Sequence, residues 1–186
     1  PANSAATFDG SAGSIDVPDA AAYDFDVAAD FTLSLWVKPD AVQVDLLGTT
    51  NSIIEKWDAE LDPGSGFPYT IRYNNQTHAS PGYFGVARYD GAAASGFEST
   101  VPVDDGAWHH IAFVKQGALL SLYVDGLLDG TASDTLHTST PGSTQNAAAV
   151  TLGRRGGNTY PSYLSGALDE VRIWDYGRTQ EEIQNE

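Results

Sequence analysis

The 186 residues include no cysteine and no methionine, and only nine basic residues, three of them Lys. Without thiols there are no disulfides, thiolate zinc sites, iron–sulfur clusters or Cys nucleophiles. The few cations face 25 acids, a formal net charge of -16. So acidic a surface repels phosphate backbones and anionic lipid, which excludes nucleic acid as a partner. No run approaches the roughly 18 apolar residues of a membrane span, so no membrane insertion is expected. Helix signals are scarce as well. Eighteen of the acids are Asp and seven are Glu, and Asp prefers turns and caps where Glu prefers helix interiors. Loops dense in short carboxylates also suit a hard cation.

What is present is enough chain for one domain, residues 1–186, with a sizeable core. Hydrophobic residues at 41% and aromatics at 11% make it globular rather than disordered. The chain begins at Pro1 with neither initiator Met nor signal peptide. The expectation is a domain cut from a larger exported protein, with other domains of that parent as neighbours.

Period-two alternation recurs throughout. Phe31, Leu33, Leu35 and Val37 alternate with Thr32, Ser34, Trp36 and Lys38, and Pro39 ends the run. Tyr69–Tyr73, Trp108–Lys115, Leu120–Val124 and Val171–Trp174 behave alike. Asp-Gly turn signals separate the runs at Asp9, Asp90, Asp105, Asp125 and Asp129. Leu119 to Thr131 reads as strand, turn, strand. Gly64–Pro68, Thr138–Asn146 and Arg154–Tyr163 read as surface loops. Thr179-Gln180-Glu181-Glu182 is a capping box opening one short C-terminal helix. Many short strands and one helix predict an all-β sandwich or barrel.

Seven segments in order then carry a resemblance. They are Phe8-Asp9-Gly10, Asp30 to Pro39, Ile53 to Lys56, Trp108 to Ala112, Leu122 to Gly126, Leu152 to Arg154, and Gly166 to Trp174. Together they resemble a laminin G-like domain, more closely the bacterial concanavalin A-like lectin/glucanase group that includes pentraxin-like domains. The resemblance runs from about Ala6 to Ile183. It implies a two-sheet antiparallel jelly-roll β-sandwich and a mostly non-catalytic, extracellular recognition module of secreted or surface proteins. Many such modules bind calcium and a subset bind carbohydrate. Trp57 to Ser99 departs most from the family pattern.

The resemblance also implies a structural calcium ion joining first strand to last, held by Asp9 and Asp169, with Asp30 or its neighbours adding carbonyls or a third carboxylate. Read singly, Asp9 is equally the first residue of an Asp-Gly turn, and Asp169 a strand residue bonding an amide. No EF-hand loop is present.

A poly- or oligosaccharide is the expected ligand. Sugar faces are apolar and their rims are hydroxyl-rich, so aromatic platforms and planar polar groups bind them together. The candidates are Trp57, Tyr73, Asn74 and Arg88 in the divergent middle, and Arg154, Arg155, Tyr160 and Tyr163 in a later loop. The adjacent Arg154 and Arg155 suit a carboxylate or sulfate. Tyr73 shares strand parity with Ile71 and reads equally as core. Arg154 reads equally as cover for a strand end.

Catalysis is not expected. Glucanases of this group, by resemblance, alternate two or three acids along one strand. The nearest candidates here are Glu55, Asp58 and Glu60: Glu55 and Asp58 are three apart and face opposite sides of a strand, and Asp58 and Glu60 share a face but fall in a loop. His109 and His110 lack a helical zinc spacing. The alternatives to a carbohydrate module are an adhesion or structural module that contacts protein, and third, a glucanase-like enzyme.

Overall fold

A computed structural model describes residues 4–40, 48–57, 65–157 and 162–186. In chain order the strands are β1 (Ala6–Asp9), β2 (Ile15–Val17), β3 (Phe31–Pro39), β4 (Thr50–Glu55), β5 (Phe67–Asn74), β6 (Phe84–Tyr89), β7 (Ala94–Glu98), β8 (His109–Gln116), β9 (Leu119–Val124), β10 (Leu127–Ser133), β11 (Val150–Leu152) and β12 (Ser165–Trp174). Helix α1 (Gln180–Gln184) follows. One sheet has the order β1-β12-β3-β8-β9-β10 and the other β2-β11-β4-β5-β6-β7. Every ladder is antiparallel. This is the expected jelly-roll sandwich.

The alternation explains which side chains meet between the sheets. Phe31, Leu33, Leu35 and Val37 of β3 are fully buried and pack with Ile111 and Phe113 of β8 and Tyr69, Ile71 and Tyr73 of β5. Phe31 stacks on Phe25 and meets Phe113 edge-on. The β9–β10 turn has Asp125 at φ 51° and Gly126 at 75°. Two left-handed residues in succession are what a two-residue hairpin loop needs to follow the strand twist.

Two local expectations are corrected. Asp129-Gly130 is not a turn. It lies within β10, where the pairing with β9 skips between Leu128 and Gly130. The extra residue is a bulge, and its carboxylate caps Thr100 through the backbone amide (2.7 Å) and the hydroxyl (2.8 Å). Phe67 and Pro68 are not loop residues, because β5 starts at Phe67 and both are buried. Strands β6 and β7 have no counterpart in the runs read from alternation.

The two outer faces differ. On the first sheet α1 covers part of the face, with Ile183 buried against Ala112 and Val114. Thr179 caps the helix, and Glu182 returns the bond, which completes the expected capping box. On the second sheet no described helix covers the outer face over β5, β6 and β7. No described helix is long and apolar enough to cross a membrane.

Candidate functional site

Strand parity builds the outer face of the second sheet. Tyr69, Ile71 and Tyr73 point into the core, so Thr70, Arg72 and Asn74 point outward. Arg72 stands opposite Gly85 and Thr70 opposite Ala87, and these stand opposite Glu98 and Gly96 on β7. Small residues on the two outer strands leave the long side chains of β5 unmatched. The result is a hollow of about 330 Å³, rimmed by Thr50, Arg72, Asn74, His78 and Glu98 and floored by Thr70, Gly85, Ala87 and Gly96. At Gly85 an added Cβ would meet only the Asn74 amide oxygen, at 4.0 Å, so the position opens directly into the hollow.

Two polar groups at this site have no partner. The Thr70 hydroxyl and the Asn74 side-chain amide nitrogen are buried without a hydrogen bond, in residues only 2% and 1% exposed. Such groups cost free energy when left unpaired, and both residues line the hollow. His78 and Glu98 approach to 3.3 Å at the rim.

Next to the hollow, Arg72 donates to the fully buried Glu55 carboxylate from Nε at 2.8 Å and from Nη2 at 3.3 Å. The Ser52 hydroxyl donates to the same carboxylate. Trp57 carries the Arg72 guanidinium at 5.9 Å and that of Arg155 at 5.7 Å from its ring centre. Phe67 packs on it at 5.6 Å. Glu55 is thus a buried carboxylate already bound by Arg72 and Ser52, and Trp57 a half-buried indole beside two cations.

The candidates read from sequence divide accordingly. Asn74 lines the hollow, whereas Trp57 and Arg155 meet each other beyond the far end of β4 and do not line it. Nor does Tyr73: it is fully buried in the core, and burial, with Asp104 adding, pushes its hydroxyl up to about 12. Arg88 shares the inward parity of Val86 and is fully buried. It donates to Asp134 at 2.6 Å and to the carbonyls of Pro68, Val27 and Asp26. Burial lowers its pKa and Asp134 opposes that fall. Arg154 binds Asp16 at 2.9 Å, Ser14 and the carbonyls of Arg155 and Gly157, which ties the strand end down. The Tyr163 carbonyl accepts a bond from Asn51. Tyr160, Asp58 and Glu60 lie outside the described residues.

The three acids named for calcium are spread along the first sheet. Asp9 pairs with Ser165, and Asp169 stands opposite Trp36 four residues further along β12, about 13 Å at the usual strand rise. Asp30 precedes Phe31 at the far end of β3, where it accepts from the Gly117 amide at 2.8 Å. Asp9 accepts from the Ser11 and Ala12 amides, which hold its pKa down at about 2. Asp169 accepts from the Glu170 amide with one oxygen and keeps the other buried without a partner. As a set they do not fit one ion, and the described residues contain no group of three or more His, Cys, Asp or Glu able to hold a metal.

Residues missed by sequence reasoning are Thr70, Arg72, Gly85, Ala87, Gly96 and Glu98. The outward parity of Thr70 and Arg72 was a usable signal. The small residues of β6 and β7 carry none by themselves.

The family model of the concanavalin A-like lectin/glucanases superfamily matches residues 9–184. The chain belongs to that superfamily. Solved structures agree with this concanavalin A-like domain in fold. The binding domain of Paraclostridial Mosquitocidal Protein 1 superposes at a TM-score of 0.73 with 15% identity, over 97% of this chain and 42% of that one. A carbohydrate-binding protein of Bacteroides ovatus, itself a provisional assignment, gives 0.67 and 19%, over 97% and 45%. Domain 4 of the extracellular arabinanase AbnA from Geobacillus stearothermophilus, solved with arabinotriose, gives 0.62 and 20%, over 97% and 75%. The chain spans less than half of the first two. No curated protein matches it.

Proposed function

We propose that this concanavalin A-like domain is a non-catalytic carbohydrate-binding module that takes an oligo- or polysaccharide segment in the hollow on the outer face of the second sheet. The carrying observation is the pair of buried, unpartnered polar groups, the Thr70 hydroxyl and the Asn74 amide, beside a 330 Å³ hollow. A sugar rim supplies hydroxyls that both donate and accept, which these groups lack. Arg72, His78 and Glu98 add planar and charged partners around them. Two relatives in fold support the reading by their own ligands, one described as carbohydrate-binding and one holding arabinotriose. Such a module works outside the cell, attached to a secreted or surface protein.

Glu55 gives no reason to add catalysis, since its carboxylate is consumed by Arg72 and Ser52. A glycan array followed by calorimetry tests the reading. We expect binding by the intact domain, lost on Gly85→Leu. No binding to any glycan, or binding indifferent to that substitution, would sink it.

A protein-contact role is the second reading. It rests on β10, an edge strand of the first sheet that exposes Leu127 and Leu128. Glycan binding abolished at Gly85 but unchanged by Leu127→Ser would leave this reading without support.

A further inference from the structure

Lys56 follows β4 directly and is fully buried, yet its ammonium does not lie in an apolar place. Five oxygens surround it: Asp19 Oδ1 at 2.6 Å, Asp24 Oδ1 at 3.0 Å, the carbonyls of Asn146 and Ala148 at 2.8 Å each, and Asn146 Oδ1 at 3.4 Å. An ammonium has three N–H bonds to give, so the oxygens outnumber its donors. The two carboxylates also outweigh its single charge.

The cage is held from outside. Asp19 and Asp24 flank the short 3₁₀ turn Ala21–Tyr23. Asn146 is fixed through its side-chain nitrogen, which donates to the carbonyls of Lys56 and Gly66 at 2.8 and 2.9 Å. A separate observation points at the same spot. The Tyr69 hydroxyl is fully buried, has no hydrogen-bond partner, and has its pKa raised first by burial and then by Asp24, Tyr23 and Asp19. An unclaimed oxygen therefore sits in the field of the cage acids.

Two carboxylates, two carbonyls and an amide oxygen are a donor set for a hard divalent cation, which takes six to eight oxygens at about 2.3–2.6 Å. We propose that Asp19, Asp24, Asn146 and Ala148 form a divalent-cation site that Lys56 fills with its own ammonium, so that shortening this side chain opens it to calcium. Asp19 and the two carbonyls need to contract by at most about 0.5 Å, Asp24 by about 0.4–0.7 Å and the Asn146 amide oxygen by about 1 Å; Asp19, with 37% of its side chain exposed, has room to move. The covalent cation explains how the loops before β3 and β11 stay pinned to β4 with the three calcium candidates dispersed. It is independent of any glycan bound on the outer face.

The test is the melting temperature of wild type, Lys56→Ala and Lys56→Ala/Asp19→Asn, each in calcium and in chelator. Comparing variant with wild type removes any calcium effect arising elsewhere. Calcium at a hundredfold above its dissociation constant is expected to raise the melting temperature of Lys56→Ala by roughly 5 °C more than that of wild type. Asp19→Asn is expected to abolish the difference. If Lys56→Ala folds only when calcium is present, the proposal also stands. An equal response in wild type and Lys56→Ala, a response that survives Asp19→Asn, or a Lys56→Ala chain that stays unfolded in calcium overturns it.

Discussion

The guanidinium of Arg88 donates to the Asp134 carboxylate at 2.6 Å, with both side chains shut off from water. Arg88 comes from β6 and Asp134 follows β10, so the pair joins strands of opposite sheets. Its other donors hold three carbonyls, including those of Asp26 and Val27 in the loop before β3. Removing one partner of such a pair strands a buried charge and costs about 3–5 kcal/mol. Arg88→Ala is therefore expected to lower stability by about that amount in urea unfolding. Replacing Arg88 and Asp134 together should cost less than the sum of the single changes. Additive losses would show that the two do not act as a pair.

Gly85 separates ligand recognition from folding. Its added Cβ meets open space, and its φ is not in the left-handed region. Gly85→Leu should thus fill the hollow while moving the melting temperature little. At Gly96, across the same hollow, a Cβ would fall 2.2 Å from the Val86 carbonyl oxygen, so Gly96→Ala should destabilise the sheet. Calorimetry with glycan and thermal unfolding together distinguish the two. A Gly85→Leu protein that melts as low as Gly96→Ala contradicts the assignment of Gly85 to open space.

Much of the sandwich was legible because it is written in local terms. Alternation in Phe31–Val37 and Tyr69–Tyr73 tells which side chains face the core. Asp125-Gly126 and Thr179–Glu182 encode a hairpin and a cap within four residues. The site was only partly legible, because it is made of relations between strands. Asn74 announces itself by type, but Gly85 and Ala87 matter only for standing across from Arg72 and Thr70. Arg88 misled for the opposite reason. A lone Arg among aromatics suits a ligand surface, and only the packing reveals Asp134, 46 residues away, as its partner.

Tyr73 tests whether the core and the site are correctly divided. Its hydroxyl is buried without a partner and its ring meets Phe84 edge-on at 5.7 Å. Tyr73→Phe keeps the ring and removes the orphaned group, so stability should be unchanged or rise by up to about 1 kcal/mol. Glycan affinity should not change. A loss of affinity would mean that Tyr73 faces the ligand and that the parity assigned to β5 is wrong.

His109 lies between two carboxylates, with Nδ1 2.9 Å from Asp125 and Nε2 3.0 Å from Asp105. Burial alone would lower its pKa, but hydrogen bonds to Asp125 and Asp105 outweigh it and raise the imidazole above its ordinary 6.5. A raised folded value means that the native state holds the proton more tightly than the unfolded chain does. The resulting stabilisation is complete below pH 6.5 and disappears as pH climbs through the raised value. His110 is lowered by burial and titrates in the opposite sense, so a bulk stability curve mixes the two and a site-resolved imidazole titration by NMR is the proper measurement. Asp125→Asn is the clean variant. Asn suits the left-handed first position of an Asn-Gly turn, and its amide oxygen still accepts from the His110 backbone, as Asp125 does at 2.9 Å. The charge is lost, and with it the acceptor for His109 Nδ1–H, because the amide nitrogen that replaces Oδ2 is a donor. The His109 midpoint should fall toward its ordinary value with the hairpin intact, and the stability gained on acidification toward pH 6.5 should shrink with it. A midpoint that does not move would mean that Asp125 contributes nothing to holding the proton.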